Sequence, residues 1–416
     1  MIDLDFVRRQ FPAFATPSLN GQSFFENAGG SYMCQQVIDR FNRYFEQRKV
    51  QPYYAFAASK IAGEEMDLAP IRFARYLNVD ADEVLFGPST SQNTYVLARA
   101  CLERLAEGEA IIVSAQEHEA NSGVWRKLAD YGIDVRIWPV DPADGRLRLS
   151  DLHSLLDNKV RLVAVTHCSN LVGEINPVRQ IADATHEAGG LLLVDGVSYC
   201  PHGFPDVDAL GADVYLFSTY KTYGPHQGVM VIRNAARPLF APQSHFFNHD
   251  NPMKWMVPAG PDHAQVAAAN GVIDYFDALD AHHGGQDDSE RPRRITDLFK
   301  SAETPHIRTL LEYIESRNDV HLIGPSDPEA RAATISFVVP HMKAADIAKK
   351  LATKGIMAGA GHYYAARLFN QMGLDPDAGA VRLSFVHYTS TTDMTNLIAA
   401  LDDTLNRSGL VSCLPI

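Results

Sequence analysis

Two residues near the middle of the chain are placed to do chemistry together. Asp195 closes the apolar run Leu191-Leu192-Leu193-Val194, and Lys221 follows the next apolar run, Val214-Tyr215-Leu216-Phe217, 26 residues later. In open α/β sheets the ligand crevice lies outside the carboxyl ends of the strands, so an acid and an amine at two such ends reach one site. The pair suits pyridoxal phosphate (PLP). A lysine amine can form a Schiff base with the cofactor's aldehyde, and a carboxylate can keep the pyridine nitrogen protonated so that the ring draws electrons. Ser218 and Thr219 add hydroxyls beside Lys221, and Gly224 leaves space, as a phosphate requires.

Other chemistries find no support in the residue pattern. There is no GxGxxG after a strand, no GxxxxGK[ST] and no HExxH, so the usual dinucleotide, P-loop and zinc-protease patterns are missing. His245 and His249 have the spacing of a helical metal pair, but the segment Asn248-His249-Asp250-Asn251-Pro252 is rich in helix breakers. They read as loop histidines, and no metal site is expected. Lys and Arg total 37 against 50 Asp and Glu, a net charge of −13. Nucleic acid and anionic membrane surfaces need concentrated positive charge and are not expected partners. A basic pocket for a small anion remains compatible with an acidic exterior. Five cysteines, an odd number with no CxxC pair, favour reduced thiols. The acids at Asp3 and Asp5 argue against a signal peptide, and no apolar run approaches the roughly 20 residues that span a bilayer. A soluble cytoplasmic protein is expected.

The elements that must position Asp195 and Lys221 are short apolar runs alternating with helical segments. Ala110 to Val113, Asp134 to Trp138, Val160 to Val165, Leu191 to Val194, Val214 to Phe217 and Val229 to Ile232 read as strands. Val124 to Tyr131 and Ile181 to Ala188 read as helices, the second stopped by Gly189-Gly190. Continuous apolar strands between helices predict a mostly parallel sheet buried on both faces. Residues 282–294 are polar and breaker-rich and are expected to form an exposed excursion. Beyond them Thr334 to Val339 reads as a strand, Ala344 to Thr353 as a helix, Val381 to Phe385 as a half-buried alternating strand, and Met394 to Leu405 as a closing helix. The expected organisation is an N-terminal segment (1–18) packing with a small domain, a large cofactor domain (19–283), and a smaller α+β domain (284–416) with one open face.

From Phe24-Phe25-Glu26-Asn27-Ala28-Gly29 to Arg382-Leu383-Ser384-Phe385-Val386-His387-Tyr388, the chain resembles the class V aminotransferases, PLP-dependent enzymes of fold type I. Within them it is most similar to the cysteine-desulfurase-like subgroup. The resemblance implies Lys221 as the Schiff-base lysine and Asp195 as the pyridinium partner. His118, in Glu117-His118-Glu119-Ala120-Asn121, matches the histidine that stacks on the cofactor ring. Ser89, Thr90 and Ser91 precede a helix whose N-terminus can cradle phosphate. Asn170 in Thr166-His167-Cys168-Ser169-Asn170 matches the asparagine that bonds the cofactor's phenolic oxygen. Ser198, Ser218 and Tyr220 are further cofactor contacts. Gly260 stands where a threonine reaches the phosphate across a homodimer interface. Arg382 matches the arginine that forks a substrate α-carboxylate, and alternation points it away from its strand's apolar face. Asn27, Ala28, His362, Tyr363 and Tyr364 complete the implied substrate site.

The chain departs from the desulfurases where they present a nucleophilic cysteine in an Arg-x-Gly-His-His-Cys-like loop. The corresponding residues are Gly359-Ala360-Gly361-His362-Tyr363-Tyr364-Ala365, and a phenol cannot carry a persulfide. The resemblance therefore implies a PLP enzyme acting on a small α-amino acid, with β-elimination as the leading reaction and a C–S lyase without persulfide chemistry as its form. Transamination and epimerisation use the same core residues. A non-catalytic PLP-fold binding protein is the alternative of another class, and the set Asp195, Lys221 and His118 counts against it.

Overall fold

The computed structural model describes residues 2–406, and its strands fall into two sheets. Strand β1 (Ser23–Phe25) does not join the larger sheet. The next seven do: β2 (Val84–Gly87), β3 (Ala110–Ser114), β4 (Asp134–Trp138), β5 (Val160–Thr166), β6 (Leu191–Asp195), β7 (Val214–Ser218) and β8 (Gly228–Ile232). Their order is β2-β8-β7-β6-β5-β3-β4, and within this sheet β8 alone runs against the others. The expected mostly parallel sheet is present, with strands at the positions read from the apolar runs.

Burial on both faces explains why these runs are continuous rather than alternating. Along β6, Leu192 and Val194 join a core with Phe73, Val272 and Phe276. Leu193 faces the opposite core, with Leu97 and Trp125. At the edge, β4 carries Arg136, which binds Asp134 and Asp157. Charge along an outer strand discourages further pairing.

The topology fixes where a ligand sits. Strand β3 lies between β4 and β5, so the chain leaves it to one side and returns on the other. That reversal opens a crevice at the carboxyl ends of β3 and β5. The helix Thr90–Leu102 starts at the same edge, after β2, with Ser89 as its cap accepting from the Gln92 amide at 3.2 Å. On β8 a Cβ at Gly228 would fall onto the Ser89 and Thr90 backbone, so glycine there lets this helix start come down onto the sheet.

The second sheet adds β9 (His321–Ile323), β10 (Thr334–Val338), β11 (Ile356–Gly361) and β12 (Ala380–Ser384) in the order β1-β11-β12-β10-β9. Strand β1 pairs parallel with β11 and the other contacts are antiparallel. One face carries Ile335, Phe337, Val381 and Leu383 against Leu310, Ile347 and Leu397. These last come from the helices Arg291–Glu315, Ala344–Ala352 and Thr391–Asn406. Residues 23–25 thus hydrogen-bond with the second sheet although they lie within the range 19–283. Residues 2–18 touch both sides: Arg8 binds Asp393 and the Tyr388 carbonyl, while Phe11 packs edge-on to Tyr223 and Tyr275.

The polar stretch 282–294 is mostly exposed, as expected, and it ends in order, because Arg291 opens a 25-residue helix with Pro292 in its first turn. Arg291 and Arg294 both bind the buried carboxylate of Asp280, so their charge is used in packing. One expectation needs correction, that for the strand carrying Arg382. Strand β12 is not half-buried: all five residues are buried, Arg382 included. Its second face is covered by Glu26, Asn170 and Tyr363 rather than water.

Candidate active site

The crevice at the strand ends holds a cleft of about 630 Å³. Ten of the residues singled out in the sequence line it: Ser89, Thr90, Ser91, His118, Asn170, Asp195, Ser198, Ser218, Tyr220 and Lys221. They arrive from five strand ends, after β2, β3, β5, β6 and β7. Thr90 and Ser218 hydroxyls lie 2.7 Å apart, and Tyr220 stacks on His226 with ring centroids 4.8 Å apart.

Asp195 is 5% exposed and Lys221 6%. Burial pulls the Lys221 amine down to about 8, helped by the Arg382 charge and opposed by Asp195 and Glu26. Burial also raises Asp195, opposed by the Val197 N–H, which donates to its Oδ1 at 2.9 Å, and by the Lys221 charge. For both groups burial outweighs their mutual attraction, so each is shifted toward its neutral form. Beneath them Glu117 is pushed up to about 8, first by burial and then by Asp195. It accepts hydrogen bonds from Ser114, Asn121 and the Thr166 amide.

His118 caps a short turn, and its Nδ1 accepts from the Ala120 amide at 3.0 Å. Burial, followed by the Lys221 and Arg382 charges, lowers it to about 4. It is therefore neutral at pH 7, with its proton on Nε2.

Arg382 borders the cleft from the second sheet. Its Nη2 donates to Glu26 Oε1 at 2.6 Å, its Nη1 to the Asn170 carbonyl at 3.2 Å, and its guanidinium lies 3.9 Å from the Tyr363 ring centroid. Asn27 donates to the Lys221 carbonyl at 3.4 Å and accepts from the Tyr388 hydroxyl at 2.7 Å. The Ala28 amide donates to Ser384 Oγ at 2.8 Å.

His362, Tyr363 and Tyr364 form the adjoining loop. Tyr363 and Tyr364 have φ of 51° and 58°, a left-handed conformation that costs a non-glycine residue about 1–3 kcal/mol. Bonds from both sides hold it. Asn170 Nδ2 donates to the Tyr363 carbonyl at 2.9 Å, and the Glu119 amide donates to the Tyr364 carbonyl at 2.8 Å. Arg367 grips the Glu119 carboxylate. The Tyr364 ring lies 5.1 Å from that of His118, and the Tyr364 amide donates to His362 Nδ1 at 3.2 Å.

Gly260 does not join this site. It lines a different groove with Gln51, Tyr53 and His245. The sequence reading also missed Thr166, Val197 and His226 in the lining, and gave no role to Glu26 or Glu117, although both stand inside the motifs it used. Cys168 and Cys200 are buried, and burial pushes the Cys168 thiol up to about 12 and raises Cys200 well above its usual range. Neither is activated as a nucleophile. Cys413 lies outside the described residues. No cluster of metal-ligating side chains occurs among the described residues, and none of their helices is long and apolar enough to cross a membrane.

A doubly wound sheet with a switch-point crevice, and a buried amine and carboxylate on neighbouring strand ends, define a cofactor-dependent enzyme of the α/β class. The chain belongs to the class V aminotransferase family, whose sequence profile matches residues 23–397. It is 35% identical to the aminotransferase-like protein FGM3 of Gibberella zeae over 95% of this chain and 97% of that protein. It is 28% identical to the cysteine desulfurase-like protein ustD of Aspergillus flavus, covering 98% and 92%. The cysteine desulfurase of Thermococcus onnurineus NA1 shares the fold, with a TM-score of 0.85 at 21% identity, covering 98% of this chain and all of that one. The protein is a PLP-dependent enzyme of fold type I.

The residues present fit that cofactor. The buried Oδ1 of Asn170 has no hydrogen-bond partner and is free for a polar atom in the cleft. The hydroxyls of Ser89, Thr90, Ser91 and Ser218 gather at a helix start, where an anion is favoured.

Proposed function

We propose that this chain catalyses β-elimination from a small α-amino acid, as a C–S lyase of the cysteine-desulfurase-like type without a persulfide cysteine. The observation that carries the reading is the buried Lys221 amine sharing one cleft with Asp195, with Arg382 at its border and tyrosines at 363 and 364 in the adjoining loop. When bound, PLP withdraws electrons from Cα of the substrate amine. Ser89, Thr90, Ser91, Ser198, Ser218 and Tyr220 would hold the cofactor with Asn170, His118 would lie against its ring, and Asp195 would face its pyridine nitrogen. Lys221 would hold the cofactor through its amine and, when that amine is free, would take the Cα proton. Arg382 orients the α-carboxylate, with Asn27 and Ala28 framing the site beside it. The neutral Nε2–H of His118, or the hydroxyl of Tyr364, would protonate a leaving group, while the Tyr363 hydroxyl donates to the Ala380 carbonyl and His362 accepts from the Tyr364 amide in the same turn. The Cα–H and Cβ–X bonds break, HX departs, and the released enamine takes up water to give pyruvate and ammonia.

We assign Gly260 to a homodimer contact. The groove it lines adjoins the exposed aromatics Tyr53, Tyr54, Phe246 and Phe247, an apolar face of the kind a second copy covers.

Holoenzyme given L-cysteine, L-cystine and other β-substituted amino acids is expected to release pyruvate and ammonia in equal amounts. Amino transfer to a keto acid without pyruvate would select the aminotransferase reading, and inversion at Cα alone the epimerase reading. The Lys221 environment gives a second expectation, concerning cofactor capture. Because the amine is lowered to about 8, its reactive neutral form rises as pH passes through 8, more than two units before an ordinary lysine. Stopped-flow absorbance of apoprotein mixed with PLP should show a capture rate that rises with a midpoint near pH 8. A midpoint near 10 would contradict the burial argument.

A further inference from the structure

Glu26 stands where a substrate carboxylate would dock. Strand β1 pairs Phe25 with Ala358 of β11, and β11 pairs Gly359 with Arg382 of β12. Glu26, the residue after β1, bridges Ser384 of β12, and its side chain reaches Gly359 and Arg382. Its Oε1 accepts from Arg382 Nη2 at 2.6 Å, while its Oε2 is buried without a hydrogen-bond partner. The slot for this carboxylate is made by two glycines: a Cβ at Gly29 would fall on Oε1 and a Cβ at Gly359 on Oε2. Neither glycine adopts a left-handed φ, so space for Glu26 is the local reason for glycine at both.

We propose that Glu26 is a specificity-determining residue: its carboxylate competes with the substrate α-carboxylate for Arg382, and binding requires its displacement. This rests on the amino-acid reading of the site. With Nη2 on Glu26 and Nη1 on the Asn170 carbonyl, the end-on fork that a second carboxylate would take is already engaged, and Nε alone is without a partner. An anion arriving beside Glu26 also meets a like charge in a partly desolvated cleft. The Glu26 side chain retains 30% exposure, so it has room to swing away, and the unpartnered Oε2 means that only the Arg382 contact holds the carboxylate in the slot. The consequence is weakened preference for a free α-carboxylate over a neutral α-carboxamide, because the amide brings no like charge against Glu26.

The test uses holoenzyme titrated with L-alanine, which lacks a β leaving group, and with L-alaninamide, followed by the visible cofactor spectrum and by calorimetry. Glu26→Gln keeps the size and removes the charge, and is expected to bind L-alanine about tenfold more tightly, the scale of one charge–charge contact at a partly exposed site. L-Alaninamide should change by less than about twofold, since it carries no charge for Glu26 to oppose. Gly359→Ala, which crowds Glu26 out of the slot, should shift L-alanine binding in the same direction and serves if Glu26→Gln fails to fold. Unchanged or weaker L-alanine binding in a variant that retains the cofactor band would overturn the proposal and leave Glu26 as a prop for the guanidinium. If wild type and variants alike ignore L-alanine while holding cofactor, the amino-acid reading falls, and this proposal falls with it.

Discussion

Lys221→Ala is expected to lower the elimination rate by about 10⁴-fold or more, the combined size of a lost nucleophile and a lost general base. The residue would serve twice, as the attachment point for the cofactor and as the group that moves the Cα proton, and no neighbour can replace it in both. His118 is lowered to about 4 and so is a weak base, while Asp195 is tied to the Val197 amide. The rate of pyruvate release should fall while the fold survives, because Lys221 makes no ion pair on which packing depends and a neutral alanine is easier to bury than an amine. The visible band of lysine-linked cofactor should disappear, and a small primary amine added to the assay should restore part of the rate by standing in for the missing base. Lys221→Arg, which keeps the charge and loses the amine, should be equally inactive and should not be rescued. A Lys221→Ala enzyme within tenfold of wild type would remove the chemistry proposed for this site.

The cofactor half of the site was legible in the sequence because its residues sit at the ends of strands with continuous Val, Ile and Leu runs. Burial on both faces enforces those runs, and the residue that ends each one is forced to the crevice. Asp195 is of this kind, whereas His118 and Asn170, four residues beyond the ends of β3 and β5, were read from the family resemblance. The helix Ala57–Leu77 buries Ala62, Met66, Ala69, Phe73 and Tyr76 at helical spacing, but the exposed Ile61, Leu68 and Ile71 and the internal Pro70 blur that stripe in the sequence. Strand β1 is only three residues long, and its partner β11 lies over 300 residues away. That long-range pairing is what places Glu26 against Arg382. The local alternation around Arg382 suggested an exposed face, since nothing in Val381-Arg382-Leu383 shows that another part of the chain covers it. The homodimer role read for Gly260 likewise depends on a surface, which no local pattern encodes.

Asp195→Asn should be the next most damaging change, and it separates function from stability. The amide is isosteric and its oxygen can still accept from the Val197 N–H, but it cannot hold a proton on the pyridine nitrogen. With cofactor saturating, kcat should fall by about 10²–10³-fold, the cost of removing one preorganised electrostatic contact to the reacting system. KM should move by less than about fivefold, because Arg382, the group proposed to hold the substrate carboxylate, lies on the other sheet. Stability should change in the opposite sense. The folded-state pKa of Asp195 is raised by burial, so its stabilising contribution is complete only below the unfolded carboxylate range and is lost as pH rises through the folded value. At pH 9, where Lys221 is mostly neutral, an ionised Asp195 is a buried charge with little compensation. Apoprotein carrying Asp195→Asn should therefore melt at a higher temperature than wild-type apoprotein at that pH. Loss of the carboxylate also removes a charge that favours the Lys221 ammonium, so the midpoint for cofactor capture should fall below 8. A variant with unchanged kcat would show that Asp195 does not face the pyridine nitrogen, and an unchanged capture midpoint would show that its charge does not reach Lys221.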